Sequence, residues 1–461
     1  MTVAVITAMI GDAEARLVAG WGRADHGVCV SRRCADVSEL LAAVAGGAGA
    51  AALVSADLPG LDRDAVDRLL AAGVVVIGLI DAVRGDERGE RLRRLGVAVL
   101  ISEAEGPELV ARQVLDAVAA AAETAAAPRG SGDFSRADPA QALGRPVVPP
   151  GRLTRRAEEP GGDADPQGLI VAVWGPIGSP GRTAVATGLA VELALGGASV
   201  LLVDADTHGP SIAQTLALVD DVSGLAGAVR AANQGVLDRE RLARLAPHVQ
   251  PGLRVLTGLS RSARWPELRG AGLDGVWSCA RQIAGWIVVD TGFGTEADEE
   301  LSFDAAVPRR NAATLSALHA ADLVLAVGSA DPVGLHRLVR GLQDLAEILP
   351  PGTKPEVVIT RVRASAVGSD PQGRITRAMG RFAGVPNVHF VADDRAGYDR
   401  ALLLGRSLAE VSPGSPARRA LQDLTREVIH SLTGAVVLDA KRSWRLPWRS
   451  DRRLDPVPGR A

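Results

Sequence analysis

The sequence predicts an α/β protein in two parts: an N-terminal flavodoxin-like parallel-sheet domain and a larger domain built on a mostly parallel, doubly wound sheet. Three observations predict it. Short apolar runs alternate with helix-length segments through residues 1–122 and again through 168–433. The runs of the second series are apolar almost throughout, as strands covered on both faces must be. Between the series lies a stretch of Ala, Pro, Gly, Arg and Asp without periodicity. At 461 residues and 47% hydrophobic composition the chain has material for two cores.

In the first series the apolar runs are VAVIT (3–7), GVCVS (27–31), AAALVS (50–55), VVVIGL (74–79) and VAVLIS (97–102). Between them lie DAEARLVAGWG, DVSELLAAVAG, DRDAVDRLLAAG and RGERLRRLG, and a closing helix is expected from about Pro107 to Ala122. Residues 123–167, with VVPPGR and EEPGGDADP, read as a flexible linker. The second series supplies LIVAVW (169–174), SVLLVD (199–204), LRVLTG (253–258), WIVVD (286–290), LVLAVG (323–328), EVVITR (356–361) and VHFVA (388–392). Residues 434–461 form a basic, Pro-interrupted tail.

A formal net charge of −3 gives no global attraction to nucleic acid or to an anionic membrane. No specific nucleic-acid motif is present. Three cysteines in no CxxC pair suit a reducing compartment. The first residues read as a strand instead of a signal peptide, and no window is apolar enough to span a bilayer, so a cytoplasmic protein is expected.

Residues 171–194, VAVWGPIGSPGRTAVATGLAVELA, begin as a strand, break into glycine and proline, and resume as a helix. Such a turn presents backbone N–H groups and a positive helix end to an anion. Gly178, Ser179, Gly181, Arg182, Thr183 and Ala184 fall where those groups are needed. One glycine loop is a weak signal. Here SVLLVDADTHGPS also places Asp204 and Asp206 past the end of the next strand, and GWIVVDTG ends a later strand on Asp290. Carboxyl ends of strands in an open parallel sheet share one crevice, so Thr183, Asp204, Asp206 and Asp290 can converge on a magnesium nucleotide.

These motifs resemble the MinD/ParA class of P-loop ATPases, whose loop reads K-G-G-x-G-K-[ST] and is followed by an Asp-x-Asp segment and a strand-terminal Asp. Ile177 to Thr183 occupy that loop, and AADLVLAVGSADPVGLHRLVRGLQDL and DDRAGYDRALLLGRSLAE have the family's cadence. The receiver-like first domain makes the chain similar to the CpaE/TadZ branch. The resemblance implies a P-loop NTPase domain that binds ATP and Mg2+. Thr183, Asp204 and Asp290 would hold the ion, Asp206 would orient or activate water, and Arg182 would be the loop cation. It also implies a nucleotide-dependent homodimer that positions cellular machinery: a pilus or secretion apparatus, a division site or a chromosome.

Several positions depart from that pattern. Arg182 keeps a charge but not the compact ammonium of lysine. Ile177 replaces the signature lysine that, in the resembled proteins, reaches the partner subunit's phosphate. Pro180 removes an N–H donor. Thr360 stands where family members often carry an asparagine that reads adenine. Asp206 has an alternative role as a turn cap, and Arg309 or Arg310 as a substitute cation competes with a solvated helix start. A non-hydrolysing nucleotide-responsive scaffold and a response-regulator-like signalling protein are the alternative functions.

A phosphorylatable receiver needs carboxylates after its first strand, and Thr7, Ala8 and Met9 supply none. The phosphoacceptor position falls on Ser55, with Asp57 two residues later, and Ile101–Ser102–Glu103 offers no lysine. A pseudo-receiver is expected, docking an unidentified protein partner or its own ATPase domain; a degenerate receiver using Asp57 is the alternative. In the tail, Trp444 and Trp448 beside six basic residues suit weak contact with the inner membrane face, but Pro447 interrupts any amphipathic helix there, and a disordered basic tail is the favoured reading.

Overall fold

The computed structural model describes residues 2–23, 26–80, 85–126, 167–178, 180–218, 222–296 and 308–435. Most of the linker expectation and nearly all of the tail expectation, together with Ser179 and the acidic run 297–300, lie outside the described residues.

Strands β1 (Val3–Ala8), β2 (Val28–Arg33), β3 (Ala51–Ser55), β4 (Val75–Ile80) and β5 (Val99–Ser102) form the first sheet. All pairs are parallel in the order β2-β1-β3-β4-β5, the flavodoxin-like doubly wound order. β3, AALVS, is buried at every residue because helices cover both faces. One face is packed by Leu40, Val66 and Leu69, the other by Leu17, Val110 and Val114. The closing helix runs Pro107–Ala126, since alanine-rich sequence is as good a helix as it is a linker.

The second sheet holds β6 (Leu169–Trp174), β7 (Val200–Ala205), β8 (His248–Gln250), β9 (Leu253–Leu256), β10 (Trp286–Thr291), β11 (Leu323–Ser329), β12 (Glu356–Val362) and β13 (Val388–Ala392). Its order is β13-β12-β11-β6-β10-β7-β9-β8. Every pair is parallel except the short edge strand β8, which runs antiparallel to β9. The chain leaves β6 in one direction and later returns to its other side, so β6 stands at the reversal of strand order, where such sheets place ligands. The helix after it, Arg182–Leu195, is apolar on most of its circumference and buried accordingly. Gly188 on that helix lets Leu421 of the helix Pro416–Thr433 approach: an added Cβ would lie 2.5 Å from a leucine methyl.

At the carboxyl ends of the first sheet, Thr7 donates to Glu14 at 2.5 Å and Arg33 pairs with Glu14 at 2.7 Å. Ser55 is buried, its hydroxyl without a partner among the described residues. Asp57 pairs with Arg88 at 2.5 Å.

The two sheets meet through polar contacts. Asp64 accepts from Arg269 at 2.5 Å and from Asn233 at 3.2 Å. Arg91 donates to the carbonyls of Ala56 and of Leu61, and across the junction to that of Gln234. Arg91→Ala removes all three bonds and is expected to cost about 3 kcal/mol. Calorimetry should then show the first sheet melting earlier, as a separate transition; an unchanged thermogram would mean the junction carries no such energy.

Candidate nucleotide site

β6 delivers the chain to the loop at full burial: Val171, Ala172 and Val173 are wholly enclosed and Trp174 nearly so. The Trp174 indole donates to the Phe293 carbonyl at 3.2 Å, fixing the strand's end. Gly178 (φ 73°) and Gly181 (φ 113°) make the turn in backbone conformations that glycine alone adopts without strain. A Cβ on Gly181 would also meet the Thr360 side chain at 2.9 Å. Gly181 then caps the helix Arg182–Leu195, whose first N–H groups open toward the crevice.

The parallel register of β7 and β10 sets Asp204 directly beside Asp290, and that of β6 and β10 sets Asp290 beside Val173. Thr183 Oγ1 donates to Asp290 Oδ2 at 2.6 Å. Asp290 Oδ1 is buried with no partner among the described residues. Asp204 Oδ2 accepts the N–H groups of Ser211 (2.9 Å) and Ile212 (3.0 Å). Burial pushes the Asp204 carboxyl up to about 6, the neighbouring Asp206 adding to the rise against three backbone donors. Burial, then the Asp204 charge, holds Asp290 well above the usual carboxylate range. Two desolvated carboxylates side by side, one with an orphaned oxygen, oppose each other's ionisation, and the Arg182 charge offsets only part of that for Asp290.

Asp206 is committed at both oxygens. Oδ1 accepts from the N–H groups of His208 (2.8 Å) and Gly209 (3.1 Å), and Oδ2 faces the Arg182 guanidinium at 3.3 Å. Arg182 also donates to the Gly175 carbonyl at 2.8 Å. Its fork is therefore turned into the loop's own frame. Thr360 Oγ1 shares its one proton between the carbonyls of Pro180 (2.6 Å) and Gly328 (3.1 Å), bracing the loop from β12. At Arg310 it is the main-chain carbonyl that accepts from Thr207 Oγ1, at 3.1 Å.

Gly181, Arg182, Thr183, Ala184 and Asp206 line one end of a cavity of about 430 Å³. It continues past Thr360, Arg361, Asp393 and Tyr398 to Glu192 and Arg418. Arg361 sits there at φ 56°, a left-handed conformation unusual for a side chain of its size. Tyr398 is the chain's only tyrosine, and burial, then Asp394, pushes its phenol up to about 12. The sequence reading missed both residues: Arg361 is the next-to-last residue of β12, directly after Thr360, and Tyr398 lies in the helix Arg395–Leu404 that follows β13.

Among the described residues no group of three or more His, Cys, Asp or Glu is arranged to hold a metal. The donors present are hard oxygens: the Thr183 hydroxyl, Asp290 and Asp204. Such a set fits Mg2+, which keeps several waters and takes the rest of its shell from one or two carboxylates and substrate phosphates.

No protein-family model matches the sequence, and no curated protein is significantly similar to it. Solved structures similar in fold include a ParA family ATPase from Chlorobium tepidum TLS, at 18% identity and a TM-score of 0.47, covering 56% of this chain and 98% of that one. The cell division ATPase MinD of Pyrococcus furiosus aligns at 19% identity and a TM-score of 0.45, over 57% of this chain and 98% of its own. MinD of Pyrococcus horikoshii OT3, a septum site-determining protein complexed with Mg-ADP, gives 18% and 0.43 over 56% and 95%.

Proposed function

We propose that this chain is an ATP-binding, slowly hydrolysing positioning protein of the MinD/ParA class, similar to the CpaE/TadZ branch. The observation that carries the reading is the Thr183–Asp290–Asp204 row beside the glycine turn, with its orphaned Asp290 oxygen. Thr183, Asp290 and Asp204 would hold Mg2+, which when bound supplies positive charge against the phosphate oxygens. The N–H groups at the start of the helix Arg182–Leu195 bind phosphate, and the cavity toward Thr360 and Tyr398 takes the nucleoside. Residues 1–122 act as a pseudo-receiver carrying the surface for a protein partner, and 168–433 as the P-loop domain, dimerising around nucleotide. The protein works in the cytoplasm, and residues 434–461 offer weak contact with the membrane's inner face.

Slow turnover follows from Asp206. Two turn N–H groups hold its Oδ1 and the Arg182 guanidinium faces its Oδ2, so the one acceptor site left on Oδ2 orients water with a basicity reduced by that cation. That engagement also favours a second reading, a nucleotide-responsive scaffold that binds without turnover. Labelled ATP with and without Mg2+, followed by phosphate release from the bound complex, separates the two. Binding with release that vanishes in Asp206→Ala supports the ATPase; tight binding without release supports the scaffold; no binding removes both. Arg182→Lys gives up the fork that holds Gly175 and Asp206, and turnover should rise by roughly tenfold or more.

A further inference from the structure

The loop's own cation faces inward, yet a second guanidinium lies on its other side. The helix Pro332–Ile348 follows β11 and begins at Asp331, whose carboxylate accepts the N–H groups of Val333 and Gly334. Its buried positions Gly334, Leu338, Gly341 and Leu345 recur at helical spacing. Gly341 is seated against Trp174 and Pro176, where an added Cβ would lie 2.8 Å from the indole and 3.3 Å from the proline. The helix is thereby locked against the entry to the phosphate loop, and Arg337 is exposed on its flank.

From that flank Arg337 Nη1 donates to the Ile177 carbonyl at 3.3 Å. It passes so close over Gly178 that a Cβ there would lie 2.3 Å from the nitrogen. Among the described residues no carboxylate pairs with Arg337. A guanidinium with a single neutral acceptor, laid on an anion-binding turn, retains most of its five donors for a ligand. The cavity that takes the nucleoside is lined by Gly181, Arg182, Thr360 and Tyr398, and Arg337 is not among its lining residues. A nucleotide whose phosphates meet the first N–H groups of the helix Arg182–Leu195 would bring the outer ones to the turn that Gly178 and Gly181 make.

We propose that Arg337 is a nucleotide-binding residue that contacts the outer phosphates of a bound nucleoside triphosphate. The assignment rests on the nucleotide reading above, and the wild-type chain tests that reading separately. The full chain is titrated with fluorescent ATP and Mg2+, with ADP and AMP as competitors, for the wild type, Arg337→Gln and Arg337→Lys. Glutamine can still donate to the Ile177 carbonyl but carries no charge; lysine carries the charge without the fork. Arg337→Gln is expected to weaken ATP binding about tenfold while leaving AMP unchanged, and Arg337→Lys to recover most of the loss. Arg337→Gln binding ATP as the wild type does, or losing AMP as much as ATP, would overturn the assignment and leave the nucleotide site standing. A wild-type chain that binds no nucleotide would overturn both.

Discussion

Asp290→Asn is expected to abolish Mg2+-dependent ATP binding and, in the same protein without nucleotide, to raise the melting temperature. The two effects have one cause. Asp290 is fully buried beside Asp204 on the adjacent strand, and burial together with that like charge holds its carboxyl well above the usual range. Ionising either acid in the empty site costs free energy. For Asp204, raised from 3.8 to about 6, that cost is on the order of 3 kcal/mol. An asparagine removes one charge of the pair, and its carbonyl can still accept the Thr183 hydroxyl. A gain of about 5 °C is expected for a domain of this size.

The pH dependence has a definite sign. A carboxyl whose folded value is raised contributes stability below its unfolded value, and loses it as pH climbs through the folded one. Wild-type protein without metal should therefore lose stability between about pH 4 and pH 6, and Asp204→Asn should flatten that fall. On the proposed assignment Mg2+ would reverse the balance, binding the ionised pair in competition with protons. Differential scanning fluorimetry across pH, with and without Mg2+ and ATP, reads both effects. Should Asp290→Asn melt lower than wild type without metal or nucleotide, ionising the pair carries no such cost.

Both sheets were legible because their central strands are short, almost wholly apolar runs, VAVIT, AALVS, LIVAVW and LVLAVG, that alternate with helix-length segments. The edge strand His248–Gln250 was not, since three residues with a polar pattern carry no period. In the site, Asp204 and Asp290 stood out because strand-terminal carboxylates in a parallel sheet must converge. DTHG allows Asp206 a role as a turn cap, and the structure places its Oδ1 on the N–H groups of His208 and Gly209. What the chain text did not carry is tertiary. Thr360 occupies a position associated with base reading, yet its hydroxyl is spent on the carbonyls of Pro180 and Gly328, 180 and 32 residues away. Arg337 reaches a loop 160 residues upstream only because Gly341 lets its helix close on Trp174.

Breaking the buried pair of Glu192 and Arg418 should be the largest single loss of stability in the second domain. Arg418 donates from Nε to Glu192 Oε1 at 2.6 Å and from Nη2 to Oε2 at 3.4 Å, and both side chains are at most 9% exposed. Gln422 adds a bond to Oε2 at 3.2 Å, and Arg418 also donates to the Pro413 carbonyl at 3.2 Å. Glu192→Ala leaves a buried guanidinium without its counter-charge, at about 3–5 kcal/mol. The pair's net contribution is far smaller than that, because desolvating two charges offsets most of their attraction. Replacing both, Glu192→Met with Arg418→Met, should therefore come out near neutral or stabilising, and an unfolding cycle in denaturant measures the difference. The same cycle bears on the proposed function, since Glu192 lies near the C-terminal end of the helix that starts at the glycine turn. If the pair serves only to hold that helix against Pro416–Thr433, ATP affinity falls in the single variants and returns in the double one. Affinity that stays low in a stable double variant would instead place the charges themselves in the cavity's recognition of its ligand.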